Sequence, residues 1–161
     1  MASRRKGRIL AFQALYSWEA NNKPRGSEKA QTLQKLPVPP ELLEFSWLES
    51  EKQAALDDDI SGFSRLLIIG TIENISAIDK TIAAHLENWD LTRLNRVDLA
   101  ILRMSTYTLM FQTDVAPSIV INEAIGISKE FGTDESYRFI NGVLDSIRRA
   151  LQEDPIPQGA R

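Results

Sequence analysis

Apolar residues recur every three or four positions along most of this chain, the spacing of helices with one buried face. The first such run covers residues 4–20. At about 100° per residue, Ala11, Ala14, Leu15 and Trp18 form one stripe, and Arg5, Ile9, Phe12, Gln13 and Tyr16 gather on the other side. That second side mixes a cation, an amide and aromatic rings, so it is more than a solvated face. Residues 21–27, with Pro24 and Gly26, carry turn chemistry and end the helix. Residues 28–40 are weakly patterned and finish on Pro37, Pro39 and Pro40, which predicts a short helix and an irregular connection. Residues 41–56 predict a second helix, with Leu42, Phe45, Leu48 and Leu56 as its apolar members.

Asp57, Asp58 and Asp59 suit a helix start, because carboxylates favour the positive end of the helix dipole. A long run over residues 60–86 follows, through Phe63, Leu67, Ile72, Ile75, Ile78 and Ile82. Its β-branched residues suit a strand, but the spacing is helical throughout. Gly62 and Gly70 lie inside it at a cost of about 1 kcal/mol each against alanine, which points to close packing or a bend. Beyond Asn88, Trp89 and Asp90, residues 95–112 predict a helix with Val97, Ile101, Met104, Thr108 and Phe111 in register. Pro117 suits the first turn of the next helix, which ends at Phe131 with Gly132 as an expected left-handed cap. Residues 133–136 open the last helix, where Ile140, Val143, Leu144, Ile147 and Leu151 make a clean stripe. The expected fold is all-α: one domain over 1–155, with helical groups over 4–88 and 92–152 and a frayed tail at 156–161.

Composition narrows the functional classes. The 161 residues are 43% hydrophobic and 25% charged, enough for a sizeable core, and no apolar run approaches the roughly 20 residues of a membrane span. The basic start leads into an amphipathic stretch and lacks the apolar core of a signal peptide, so a cytoplasmic protein is expected. With no cysteine there is no disulfide framework or thiolate metal site. The net charge of −3 hides an uneven distribution. Residues 1–25 hold six basic groups against one acid, a local charge of +5, and the remainder carries 13 basic and 21 acidic residues. A basic arm on an acidic body predicts a polyanion at one end and a different partner elsewhere.

Catalytic machinery is not visible. The lone His85 reads as a surface histidine, since a metal site needs several converging ligands. Glycine-rich phosphate loops and a nucleophile elbow are absent, and no cofactor or metal is expected. The break at Phe131 and Gly132 brings one helix end beside the start of the last helix, whose free backbone N–H groups can meet a phosphate or an acidic group. Phe139 lies about 100° from the core stripe and Arg138 points further outward. An aromatic ring beside a cation is what single-stranded RNA recognition uses; an edge-of-core role for Phe139 fits the geometry equally well.

The segments Arg96-Val-Asp with Ile101-Leu-Arg, Ile121-Asn-Glu-Ala-Ile and Phe139-Ile-Asn-Gly-Val-Leu-Asp, in that order and spacing, closely resemble the NusB family. The resemblance extends to the N-terminal helix around residues 11–19, and residues 22–60 match little beyond helical character. It implies two perpendicular three-helix bundles and an RNA-binding transcription antitermination factor. Such a factor binds boxA RNA together with NusE, a small-subunit ribosomal protein, and acts on RNA polymerase at ribosomal RNA operons. Carried over by position, Arg4, Arg5, Lys6 and Arg8 correspond to the family's phosphate-contacting arm, and Tyr16 to a tyrosine at the RNA surface. Phe131, Ser136 and Phe139 match positions along the boxA path. Asp98 matches an acidic position that meets NusE, and Glu135 falls where aspartate is common, near both RNA and partner. With Gln13 and Arg138 added from the helical projection, these are the candidate RNA-binding and partner-binding residues. The arm is shorter than in some members, and Arg138 stands where lysine is common. Exposed apolar surface is also compatible with a homodimer that masks the RNA site. A second reading is the NusB-like targeting domain of some ribosomal RNA cytosine methyltransferases, which expects a large α/β domain after residue 155. A third, a protein scaffold without RNA, leaves the basic arm unexplained.

Overall fold

The computed structural model describes residues 2–22, 38–87 and 90–153, and among these every regular element is helical. The expected short helix and connection over 28–37, the junction at Asn88 and Trp89, and the tail lie outside the described residues. The chain divides into two compact units, Met1–Ile75 and Ser76–Arg161.

In the first unit, α1 (Ala2–Asn22) packs along α4 (Asp58–Glu73), and α2 (Pro40–Leu43) also touches α4. The buried arc of α1 is wider than its stripe of small residues suggests. It runs from Leu10 round to Phe12, about 200° of the helix, and Phe12, expected on the outer side, is only 3% exposed. At the crossing with α4, a Cβ on Gly7 would stand 2.6 Å from the Phe63 ring, so only glycine lets that ring lie against the α1 backbone. Ser64 Oγ donates to the Gly7 carbonyl at 2.8 Å and ties the two helices together.

The single helix expected over 41–56 is instead α2, a turn, and α3 (Ser50–Ala55). Phe45 is the cause. It adopts a left-handed backbone (φ 57°), which stops the helix and turns its ring into the core. Gln53 Nε2 donates to the Phe45 carbonyl at 2.8 Å, and Arg65 Nε donates to that of Leu43 at 2.8 Å, so these two carbonyls are satisfied. The aspartate triplet behaves as expected: Asp57 caps α4 by accepting from the Ile60 N–H at 2.8 Å. The long run over 60–86 breaks at Asn74, whose amide Nδ2 donates to the Gly70 carbonyl at 2.8 Å. Gly62 needs no glycine for packing, since a Cβ there meets nothing within 4 Å.

The second unit holds most of α5 (Ile75–Ala84), a 3₁₀ turn (Leu91–Arg93), α6 (Arg96–Phe111), α7 (Pro117–Phe131) and α8 (Ser136–Glu153). Helices α6, α7 and α8 all pack on one another. Every residue from Asp98 to Met110 is buried, so α6 is enclosed on all faces. Its one internal cation, Arg103, forms a two-pronged ion pair with Asp79 of α5: Nε to Oδ1 at 2.9 Å and Nη2 to Oδ2 at 2.8 Å. His85 is not the surface residue expected. It is half-buried, with Nδ1 2.7 Å from Ser146 Oγ of α8.

Candidate functional site

The basic residues near the N-terminus are the first turns of α1, so the helix fixes their directions. Arg4 and Arg8, one turn apart, both stand over the Phe63 ring, with guanidinium carbons 4.3 and 5.3 Å from its centroid. By helical projection Arg5 and Lys6 share the opposite face with Gln13 and Tyr16. Tyr16 is 39% exposed, as expected of a surface aromatic. Beside it the structure adds a residue that the sequence reading missed. The indole Nε1–H of Trp47 donates to Gln13 Oε1 at 3.1 Å, and the ring is 38% exposed. Trp47 lies in the turn after Phe45, and the two rings meet edge to face at 5.7 Å. The sole sequence signal was a tryptophan standing off the apolar stripe of residues 41–56.

The second unit brings Arg93, Asn95, Asp98, Glu135, Ser136 and Phe139 around a depression of about 310 Å³. Asn95 caps α6 by accepting from the Asp98 N–H at 2.8 Å, and its own amide donates back to Asp98 Oδ2 at 3.1 Å. Asp98 is 6% exposed, and its Oδ1 has no donor in bonding geometry. Burial pushes its carboxyl above the ordinary value of 3.8, opposed in part by the Ser136 hydroxyl and the Asn95 amide.

The depression exists because α7 and α8 meet across a very tight link. A Cβ on Gly132 would lie 2.7 Å from both the Ser128 carbonyl and Ser136 Oγ. Glycine is therefore needed for close approach, not for the left-handed cap expected: its φ is −96° and the backbone is extended. Ser136, expected at an RNA surface, is buried. Its Oγ accepts from the Thr133 N–H at 3.0 Å and meets Thr133 Oγ1 at 3.1 Å. The first amide of α8 is likewise taken, by the Thr133 carbonyl at 3.1 Å.

Phe139 is half-buried on the wall of the depression. Arg138 turns away from it: its Nε donates to the Tyr137 hydroxyl at 2.9 Å, and Lys129 Nζ lies 5.0 Å from the same ring. Phe131 is 37% exposed, and neither it nor Arg138 lines the depression. Asp98, Glu135, Ser136 and Phe139 are thus together, and Phe131 and Arg138 stand outside. No group of metal-binding side chains occurs among the described residues, and none of their helices is long and apolar enough to cross a membrane.

Helices throughout, with the distinctive chemistry gathered at their starts and on open surfaces, define an all-α protein that recognises through its surfaces. The chain belongs to the NusB family, whose model matches residues 5–149. It is 46% identical to the transcription antitermination protein NusB of Treponema pallidum (strain Nichols) over 148 residues, covering 91% of this chain and 93% of that protein. T. maritima NusB superposes with a TM-score of 0.73 at 34% identity, over 91% of this chain and 90% of that one. A chain from the crystal structure of antitermination factors NusB and NusE in complex with dsRNA matches with a TM-score of 0.69 at 25% identity, over 93% and 98%.

Proposed function

We propose that this protein is a non-catalytic RNA-binding antitermination factor of the cytoplasm. It binds boxA-type single-stranded RNA together with the ribosomal protein NusE and acts on RNA polymerase during transcription of ribosomal RNA operons. Residues 1–155 work as one NusB-like domain. The observation that carries the reading is that Asp98 of α6 meets Glu135, Ser136 and Phe139, from the start of α8 and the link before it, on one depression, in a chain matched over 93% of its length by a chain of a NusB–NusE–RNA structure.

In this mechanism α1 captures the phosphate backbone with Arg4, Arg5, Lys6 and Arg8, whose positive charge attracts the RNA. Gln13 and Tyr16 continue the same helix toward the bases. Phe139 offers a ring for stacking at the edge of the depression, and the exposed Phe131 and Arg138 add RNA contacts outside it. Asp98 and Glu135 meet NusE through charge, and Ser136, tied to Thr133, lines the depression beside them. Binding of a boxA RNA, measured by fluorescence anisotropy with and without NusE, tests the reading. Tighter binding in the presence of NusE is expected, and equal affinity for boxA and scrambled RNA under both conditions sinks it.

A further inference from the structure

We infer that Trp47 is an RNA-stacking residue that extends the α1 surface sideways onto the turn between α2 and α3. This rests on the RNA-binding reading of α1 and adds to it a residue outside the positions that carry the family resemblance.

A tryptophan with 38% of its surface open is ordinary when its neighbours hold it loosely, but this one is held firmly. Its N–H is satisfied by Gln13, so the ring has no need to turn toward water. Its edge rests on the buried Phe45, whose left-handed backbone sets the direction of the turn, and Arg65 stands 5.7 Å from the Phe45 ring behind it. The indole is therefore pre-positioned, which lowers the ordering cost of any contact it makes.

What it faces is decided by its neighbours. Gln13 lies on the α1 face that also carries Arg5, Lys6 and Tyr16. From Lys6 to Gln13 the helix rises about 10 Å, so cations and aromatic rings follow one another along a short strip. Cations that neutralise a backbone beside rings that stack bases are the pattern of single-strand recognition. RNA phosphates match the positive charge that Lys6 and Arg5 bring to this face, and an apolar protein surface does not. The bond to Trp47 occupies Gln13 Oε1, so Gln13 meets RNA through its remaining amide N–H groups.

The test uses the full chain and a short boxA-type single-stranded RNA. Trp47→Leu should weaken binding by about 5- to 150-fold, the range for loss of one base stack, and by the same factor at every salt concentration. A lost phosphate contact would instead change the salt slope. Trp47→Phe, which keeps a flat ring, should recover most of the affinity. Trp18 is buried, so Trp47→Phe should also reduce any RNA-induced change in tryptophan fluorescence. Parent-like RNA affinity of Trp47→Leu overturns the inference, as does a loss confined to NusE binding, which would mark a protein contact. A parent protein that binds no RNA at all overturns the functional reading itself, so the two failures are distinct.

Discussion

Replacing Asp98 by asparagine should make the protein more stable at neutral pH and poorer at binding its partner. Asp98 is the third residue of α6, where a carboxylate gains about 0.3–1 kcal/mol from the helix dipole. Against that, it is 6% exposed and its Oδ1 has no donor, and an unsatisfied buried polar atom costs about 1–3 kcal/mol, more when charged. Burial wins, and the raised pKa is its sign. Asp98→Asn keeps the shape and the backbone N–H bond to Asn95 while removing the charge. A gain of about 1 kcal/mol at pH 7 follows, roughly 2–4 °C in melting temperature for a chain of this size. The folded carboxyl binds its proton more readily than the unfolded one, so the parent gains stability as pH falls from neutral through the raised value toward 3.8. The advantage of the variant should therefore shrink over that window and vanish below it. Urea melts of both proteins across pH 3.5 to 7 supply the comparison. A variant less stable than the parent at pH 7, or a difference independent of pH, would refute the reasoning. In parallel, calorimetric titration with NusE should show weaker binding by the variant, because a carboxylate kept at such a cost is one with a task.

Alanine at Arg4, Arg5, Lys6 and Arg8 together should flatten the salt dependence of RNA binding by up to about 0.7 for each lost phosphate contact, read by salt titration; an unchanged slope removes α1 from the RNA. Phe139→Ala should cost well under the 3–5 kcal/mol of a fully buried ring, about 1–2 kcal/mol, because the side chain is only half-buried, and should weaken RNA binding by about 1–3 kcal/mol. A large drop in melting temperature with parent-like RNA affinity would make it a core residue. Asp79→Ala leaves the buried Arg103 charge without its carboxylate and should destabilise by about 3 kcal/mol, at the low end of the range because Asp79 is 24% exposed. Adding Arg103→Met should recover much of that loss in urea unfolding, and a single variant as stable as the parent would refute the pair's importance.

Features that depend on residues within a turn or two of one another were legible from sequence alone. The helical class, the Asp57 cap, the Pro117 start and the stripe of α8 all follow from local spacing and capping chemistry, and of the three aromatic candidates Tyr16 and Phe131 lie open and Phe139 half-open. The family signature was legible for the same reason, being carried by short uninterrupted segments. What only the tertiary structure decided are the features whose partners are distant. Ser64 meets Gly7 from 57 residues away, Trp47 meets Gln13 from 34, and Arg103 meets Asp79 from 24. The left-handed turn at Phe45, the break at Asn74 and the burial of Phe12 likewise departed from local periodicity, and the need for glycine at 132 came from the Ser128 carbonyl and Ser136 rather than from its own backbone. Periodicity tells which residues prefer burial. Which neighbour buries them, and which polar atom is left open, is set by packing between segments that the local pattern does not relate.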